Sequence, residues 1–306
     1  MISAPFHSGE RAVQARTGSR ERMAEIGPRV IRNAMPEQHS TFFAQLPFVI
    51  AGSVDAALQP WASVLAAPAG FAHAPDAWHL RVDAVPDAHD PLKANLRYGA
   101  PIGLLGIEPQ TRRRNRLNGV VETLDVAGFE LAVQQSFGNC PRYISPREAL
   151  FVLQSPLGAA QPVEGFDAAA RALVARADTF FIATAHPHAM GSDAASHGVD
   201  VSHRGGPSGF VRVASDGTLS VPDFAGNRFF NTLGNLVLNP RAGLLFIDFD
   251  SGDLLHLAVT ATVVWDGPEV AALEGAERVL RLRVERSLRR PAALPLRWSG
   301  RSPGAH

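Results

Sequence analysis

With 306 residues, 46% of them hydrophobic, the chain is long enough to bury a full core and to build two domains or one large one. Its 29 basic and 29 acidic side chains cancel, which excludes a global field favouring nucleic acid or an anionic membrane surface and leaves a small molecule or another protein as the expected partner. The apolar stretches are strand-sized, which excludes a membrane-spanning helix; no apolar secretory region precedes Arg16; and the single cysteine, Cys140, fits a reducing cytoplasm and excludes a Cys-rich zinc or iron–sulfur site.

Residues 1–45 read as an N-terminal helical segment. It holds a solvated helix over 8–26, with Val13, Met23 and Ile26 as its larger apolar side chains, ended by Gly27-Pro28, and a short helix over 37–45 after Pro36. From residue 46 the period changes. Strands are expected over 48–51 and 61–65 around a turn at Ser53-Val54-Asp55, then over 78–83, which alternates as a half-buried strand. The continuous apolar run 101–108 reads as a central strand; 112–121 alternates around Leu117, and 131–136 completes a first unit that ends at 154. Residues 155–165, rich in Pro, Gly and Ala, form the expected linker. The second unit, 166–306, has a helix over 166–176 and strands over 179–185, 199–202, 209–213, 219–221, 242–249, 254–265 and 280–284. Asp216-Gly217 marks a hairpin turn within it.

The two units share text. Asn95-Leu96 and Gly103-Leu104-Leu105-Gly106-Ile107-Glu108 return 140 residues later as Asn235-Leu236 and Gly243-Leu244-Leu245-Phe246-Ile247-Asp248. Pro68-Ala69-Gly70-Phe71 returns 139 residues later as Pro207-Ser208-Gly209-Phe210. Ordered matches at nearly one offset indicate duplication of a folding unit. Each copy is a helix followed by about six strands, so the expected fold is mainly β, with short flanking helices and two tandem six-stranded antiparallel barrels that leave no exposed edges.

The run Asn235-Leu236-Val237-Leu238-Asn239-Pro240-Arg241-Ala242-Gly243-Leu244-Leu245-Phe246 resembles the core signature of the pyridoxamine 5′-phosphate oxidase-like FMN-binding split barrels. The resemblance extends over 178–265 and, more weakly, 46–125; Phe137-Gly138-Asn139-Cys140-Pro141-Arg142-Tyr143-Ile144 is similar to a segment that closes many of these barrels. It implies six-stranded split barrels, FMN in a cleft between two of them, and usually a homodimer. The tandem copies are accordingly expected to form a pseudo-dimer within the chain, with a further homodimer open, and copy two is the expected flavin holder.

Aligned at the 139 offset, Ser63-Val64-Leu65-Ala66-Ala67-Pro68 of copy one faces Ser202-His203-Arg204-Gly205-Gly206-Pro207 of copy two. In the second version Gly205-Gly206 would let backbone N–H groups approach an anion, Ser202 can donate, and Arg204 can pair with phosphate; the alternative is a Gly-rich bulge exposing a surface Arg. The resemblance adds Arg212, Asp223, Asn227 and the helix entry Asn231-Thr232, where neutral donors replace the family's basic pair on the phosphate. The expected cofactor-binding set is thus Ser202, His203, Arg204, Gly205, Gly206, Arg212, Asp223, Asn227, Asn231 and Thr232, with no catalytic acid or base defined. Arg297-Trp298 is similar to the residues with which the family often closes its flavin site.

Cys140 reads as a small buried hydrophobe rather than a nucleophile. His186, His188, His197 and His203 share one stretch, but no carboxylate or Cys completes a ligand set at a recognised spacing, so no metal is expected. Alternation splits Arg112-Arg113-Arg114-Asn115-Arg116 over two faces, as on a solvated edge strand, with contact to a phosphate-bearing ligand as the second reading. The expected function is an FMN-dependent oxidoreductase that passes a hydride or two electrons from a donor such as NAD(P)H or a reductase to a small substrate or oxygen. Pyridoxamine phosphate oxidation itself is not expected, because the basic residues for the substrate phosphate match poorly. The alternative is a non-catalytic flavin- or haem-binding sensor module that docks with a reductase.

Overall fold

Three helices open the chain, α1 (Ser8–Arg16), α2 (Arg20–Val30) and α3 (Glu37–Ala44). Copy one follows as β1 (Phe48–Val54), β2 (Pro60–Ala66), β3 (Ala72–His73), β4 (His79–Val82), α4 (Pro91–Asn95), β5 (Pro101–Glu108), β6 (Arg113–Leu124) and β7 (Phe129–Gly138). After β8 (Glu148–Phe151) and β9 (Val163–Glu164), copy two runs through α5 (Ala168–Arg176), β10 (Thr179–Ala185), β11 (Val199–Gly205), β12 (Arg212–Val213), β13 (Leu219–Phe224), α6 (Asn231–Leu238), β14 (Arg241–Ile247), β15 (Leu254–Val264), α7 (Pro268–Ala271) and β16 (Ala276–Arg290). β17 (Leu296–Ser299) pairs with β8. This computed structural model describes residues 4–151 and 162–299, so 155–161 of the expected linker lie outside the described residues.

The two large sheets have one topology. Copy one is ordered β2-β1-β5-β6-β7-β4-β3 and copy two β11-β10-β14-β15-β16-β13-β12, the same path shifted by nine strands, all antiparallel. The fold is mainly β, two split barrels in tandem. The Asn-Leu motif has the same task in both: Asn95 donates to Ser53 Oγ at 2.9 Å, and Asn235 donates to Thr184 Oγ1 at 3.1 Å, each tying a helix end to the first strand of its copy.

The continuous apolar runs are strands buried on both faces. In β1, Val49 and Ala51 enter the core of copy one, whereas Phe48 and Ile50 join a third core between the copies. β10 does the same with Phe180 and Ile182 against Phe181 and Ala183, and β14 with Leu244 and Phe246 against Leu245 and Ile247. The sheets cross so closely there that Cβ atoms would not fit at two repeat-equivalent glycines. One added at Gly103 would meet the Val199 carbonyl, and one at Gly243 the Pro60 carbonyl and Trp61 Cα.

Several expectations change. The N-terminal stretch is two helices, not one solvated helix; α2 runs through Gly27-Pro28 to Val30, and Gly9, Glu10, Val13 and Gln14 are buried. β11 continues through Gly205 in unbroken register with β10, so 202–205 is regular strand rather than bulge, and Gly206 N–H is spent on Asp178 O at 3.1 Å. Gly206 therefore offers no backbone donor to an anion. β6 lies between β5 and β7, so its arginines stand on an interior strand, not an edge.

Placing a side chain at the crossing should overpack it. Gly243→Val is expected to lose about 1–3 kcal/mol in urea unfolding, whereas Gly198→Ala, with open space around it, should change stability by less than about 0.5 kcal/mol. Equal midpoints for the two variants would contradict the close crossing.

Candidate functional site

A cleft of about 120 Å³ lies between the copies. Copy two lines it with Ser202, His203, Arg204 and Gly205 of β11, Asp223 and Phe224 of β13, and the connection through Asn227, Arg228 and Phe230 to Asn231 and Thr232 at the start of α6. Copy one supplies Arg114 and Arg116 of β6 and, beyond β7, Asn139, Cys140, Arg142 and Tyr143. Eight of the ten expected residues therefore converge. Gly206 and Arg212 do not: Arg212 is exposed on β12 and donates to Ala272 O at 3.1 Å. Arg297-Trp298 also lies elsewhere, on β17, with Trp298 packed against Phe48 and Phe249.

The cleft is rich in guanidinium groups. Buried Arg116 donates to Asp200 Oδ1 at 3.0 Å and to Ser202 Oγ, and its Nε has no partner. Arg204 pairs with Asp223, which also accepts Arg278 Nε at 3.5 Å, and Arg204 Nε is likewise unpartnered. Arg114, two residues before Arg116 and on the same face, donates to Cys140 O at 2.6 Å and to His203 Nδ1 at 3.1 Å. Among the described residues it meets no carboxylate. Burial, with Arg116 and Arg204 adding to it, pushes the Arg114 pKa down to about 10, which still leaves it cationic at neutral pH. His203 accepts from Arg114 because it is neutral: burial first, then Arg114, Arg147 and Arg204, hold its pKa well below the usual imidazole range. Arg114, Arg116 and Arg204 thus face Asp200 and Asp223, with excess positive charge and two unspent N–H donors. An anion placed among them would be able to accept from these groups.

Its rim is strained and aromatic. Tyr143, Arg228 and Phe230 all have φ of 63°, the left-handed region that costs a bulky residue about 1–2 kcal/mol. Tyr143 stacks on Phe224 with ring centroids 5.1 Å apart. The cleft thus has a polar floor and an aromatic rim, and its volume of about 120 Å³ is below the ~300–1,000 Å³ of most cofactor sites.

The repeat places a second cleft opposite the first, and there an anion is already supplied. Ser63 stands where Ser202 does, and His256 where Arg116 does. Between them the Asp90 carboxylate accepts from Ser63 Oγ at 2.5 Å, Leu92 N at 2.9 Å and Arg290 at 2.6 Å.

Behind the open cleft, α1 packs against α6, with Gly9 against Gly234. Asn231 spends its amide on Glu10 at 2.5 Å, and Thr232 donates to Ser202 Oγ at 3.1 Å, so these expected phosphate donors already have protein partners. Burial, reinforced by Asp200, raises the Glu10 pKa well above the usual carboxylate range. His7 caps α1 by accepting from Gly9 N at 3.1 Å, and burial pushes its pKa down to about 4.

Sequence reasoning gave Arg114 and Arg116 a phosphate-bearing ligand only as a second reading, outside the expected cofactor-binding set, and gave Tyr143 no site role. The signal was present in the alternation, which sets Arg114 and Arg116 on one face; what it could not show was that copy two covers that face.

The repeated strand order, with an Asn-Leu helix motif tied to the first strand of each copy, defines a tandem split-barrel protein, similar to the pyridoxamine 5′-phosphate oxidase-like class. No family model matches the chain, and no curated protein matches it by sequence. Among solved structures it is similar to a variant of HupZ from Group A Streptococcus, at 15% identity over 41% of this chain and 99% of the other, TM-score 0.31. It is also similar to a candidate pyridoxamine 5′-phosphate oxidase from Lactobacillus delbrueckii, at 19% identity over 36% and 83%, TM-score 0.27. A third is HutZ from Vibrio cholerae, described as a heme storage protein, at 15% identity over 41% and 94%, TM-score 0.28. Among the described residues no helix is long and apolar enough to cross a membrane.

Two outcomes test this electrostatic arrangement. Asp200→Ala leaves Arg116 buried without its carboxylate and should cost about 3–5 kcal/mol in denaturant unfolding; a loss below about 1 kcal/mol would contradict a buried pair. His7, depressed from 6.5 to about 4, contributes stability that is complete above pH 6.5 and lost as pH falls toward 4. The stability advantage of wild type over His7→Asn, which keeps a capping side chain, should therefore shrink between pH 7 and 4.5. A pH-independent gap would mean the ring is not held neutral.

Proposed function

We propose that the chain is an FMN-binding oxidoreductase with its cofactor in the cleft between the two copies. The observation that carries this reading is Arg114, a cation with no carboxylate partner among the described residues, set beside the unpartnered Nε–H groups of Arg116 and Arg204. A phosphate supplies the missing negative charge and accepts from groups of both copies. Ser202, whose oxygen accepts from Thr232 and Arg116, adds its own O–H at the same floor, and the Tyr143–Phe224 pair offers an apolar wall to a planar ring. Asp223 holds Arg204 and Arg278 in place rather than touching the ligand. On this reading the chain is its own dimer, because each copy contributes residues that the other lacks.

FMN, when bound, supplies the hydride or two-electron chemistry. The protein's share is to bind the phosphate through arginines, keep His203 neutral so that it adds no further cation, and limit water at the buried floor. The electron donor would be NAD(P)H or a reductase, and the acceptor a small molecule or oxygen. A haem carrier is less well supported: among the described residues His203 is the only histidine in the cleft, and its Nδ1 already accepts from Arg114.

Titration with FMN followed by absorbance and fluorescence tests the reading. One equivalent should bind, and Arg114→Ala or Arg204→Ala should each weaken binding by about 1.5–3 kcal/mol, roughly 10- to 150-fold in Kd. Arg212→Ala, outside the cleft, should leave Kd unchanged. A protein that takes up no flavin, or that takes up hemin with a Soret band instead, would overturn the proposal. Stopped-flow reduction by NADH or NADPH separates an oxidoreductase from a carrier.

A further inference from the structure

The β10–β11 hairpin of copy two is closed by residues 186–198, thirteen residues, where its counterpart in copy one needs only the five residues 55–59. The added length carries chemistry. His186 opens the loop, His188 follows, and His197 stands at its far end, yet the ligating nitrogens of all three lie within 4.8 Å of one another. Sequence spacing showed only the His-x-His pair. The third imidazole arrives because Ala185 pairs with Val199, which returns the chain to the point where it left the sheet.

The rings of His186 and His197 stack at 3.8 Å, and His188 approaches both edge-on, at 5.4 and 6.3 Å. His197 Nδ1 meets Ser192 Oγ at 2.9 Å, the kind of outer contact that fixes an imidazole for ligation through its other nitrogen. Behind the trio, His7 is 3% exposed, sets its ring 5.0 Å from His186, and has an Nε2 without a hydrogen-bond partner.

We propose that His186, His188 and His197 bind one divalent transition-metal ion, zinc in the first instance, with a fourth position open to water beside exposed His188. Three imidazoles without a carboxylate or thiolate suit zinc, copper or nickel rather than magnesium or calcium. Metal–nitrogen bonds of about 2.0–2.1 Å place tetrahedral ligand atoms about 3.3 Å apart, so closing on one ion takes a contraction of roughly 1.5 Å at most and a tilt of the His186 and His197 rings out of their parallel stack. An ion here would pin the long loop beside α1, away from the arginine floor of the cleft.

The test uses the untagged full-length chain, titrated with zinc(II) against a chromogenic chelator and with cobalt(II) followed by visible absorption. One equivalent of zinc should bind with a micromolar or tighter Kd, and cobalt should show the intense d–d bands of a four-coordinate site. His188→Gln and His197→Gln should each weaken zinc binding at least tenfold, while His79→Gln, whose ring pairs with Asp76 and Glu122 on copy one, should not. Absence of binding at about 100 µM zinc, far above the affinity of protein zinc sites, would overturn the proposal. So would binding that His188→Gln and His197→Gln leave unchanged. If His197→Gln does not fold, exposed His188→Gln decides alone.

Discussion

The Asp200 carboxylate is the constraint on which the assembly of this molecule turns. It stands on β11 of copy two, yet it accepts from Arg116 and Asn118 of copy one, at 3.0 and 2.8 Å, and from Asn235 of α6 at 3.1 Å. Two charges buried at such a junction are stable only while each has the other. The same contact therefore fixes the relation between copies, the seat of α6 and the direction of Arg116. Arg114 follows from that placement, because it shares a strand face with Arg116.

Much of this arrangement is legible in the sequence, and the part that is not has a physical cause. The repeat is visible because Asn95 and Asn235 do the same work, and the glycines at 103 and 243 are kept where backbone meets backbone. The strand at 101–108 reads as central because both its faces are apolar, but periodicity cannot say that the second face is covered by another copy. Ser202 to Gly205 stand out by composition, and the fold does bring them to a cleft. The signal at Gly206 misleads, since its N–H is spent on Asp178 O and the regular register of β11 leaves no loop. Arg114 and Arg116 look solvated in sequence because charged side chains on a strand usually are. Only tertiary contact between segments some 85 residues apart, as between Arg116 and Ser202, shows them to be interior. The N-terminal helix misleads for the same reason: Glu10 reads as a surface charge until α6 covers it.

The two repeat-equivalent places differ. The cleft beside β11 has an arginine floor drawn from both copies, with Arg114 and Arg116 from copy one and Arg204 from copy two, and a lengthened hairpin nearby, whereas its counterpart has a short turn and the Asp90 carboxylate. The scaffold tolerates both solutions because the third core, between the sheets, is the same apolar surface whatever the clefts contain.

The aspartate in the closed cleft carries a consequence of its own. A carboxylate tethered to the chain faces its partners at an effective concentration that no free anion can match, so Ser63 and Arg290 are permanently satisfied. Folding of that side owes nothing to what the solution contains. The open side differs: any anion it captures binds the native state alone and so adds to stability by mass action. One cleft thus carries its carboxylate within the chain, and the other leaves Arg114 without one among the described residues.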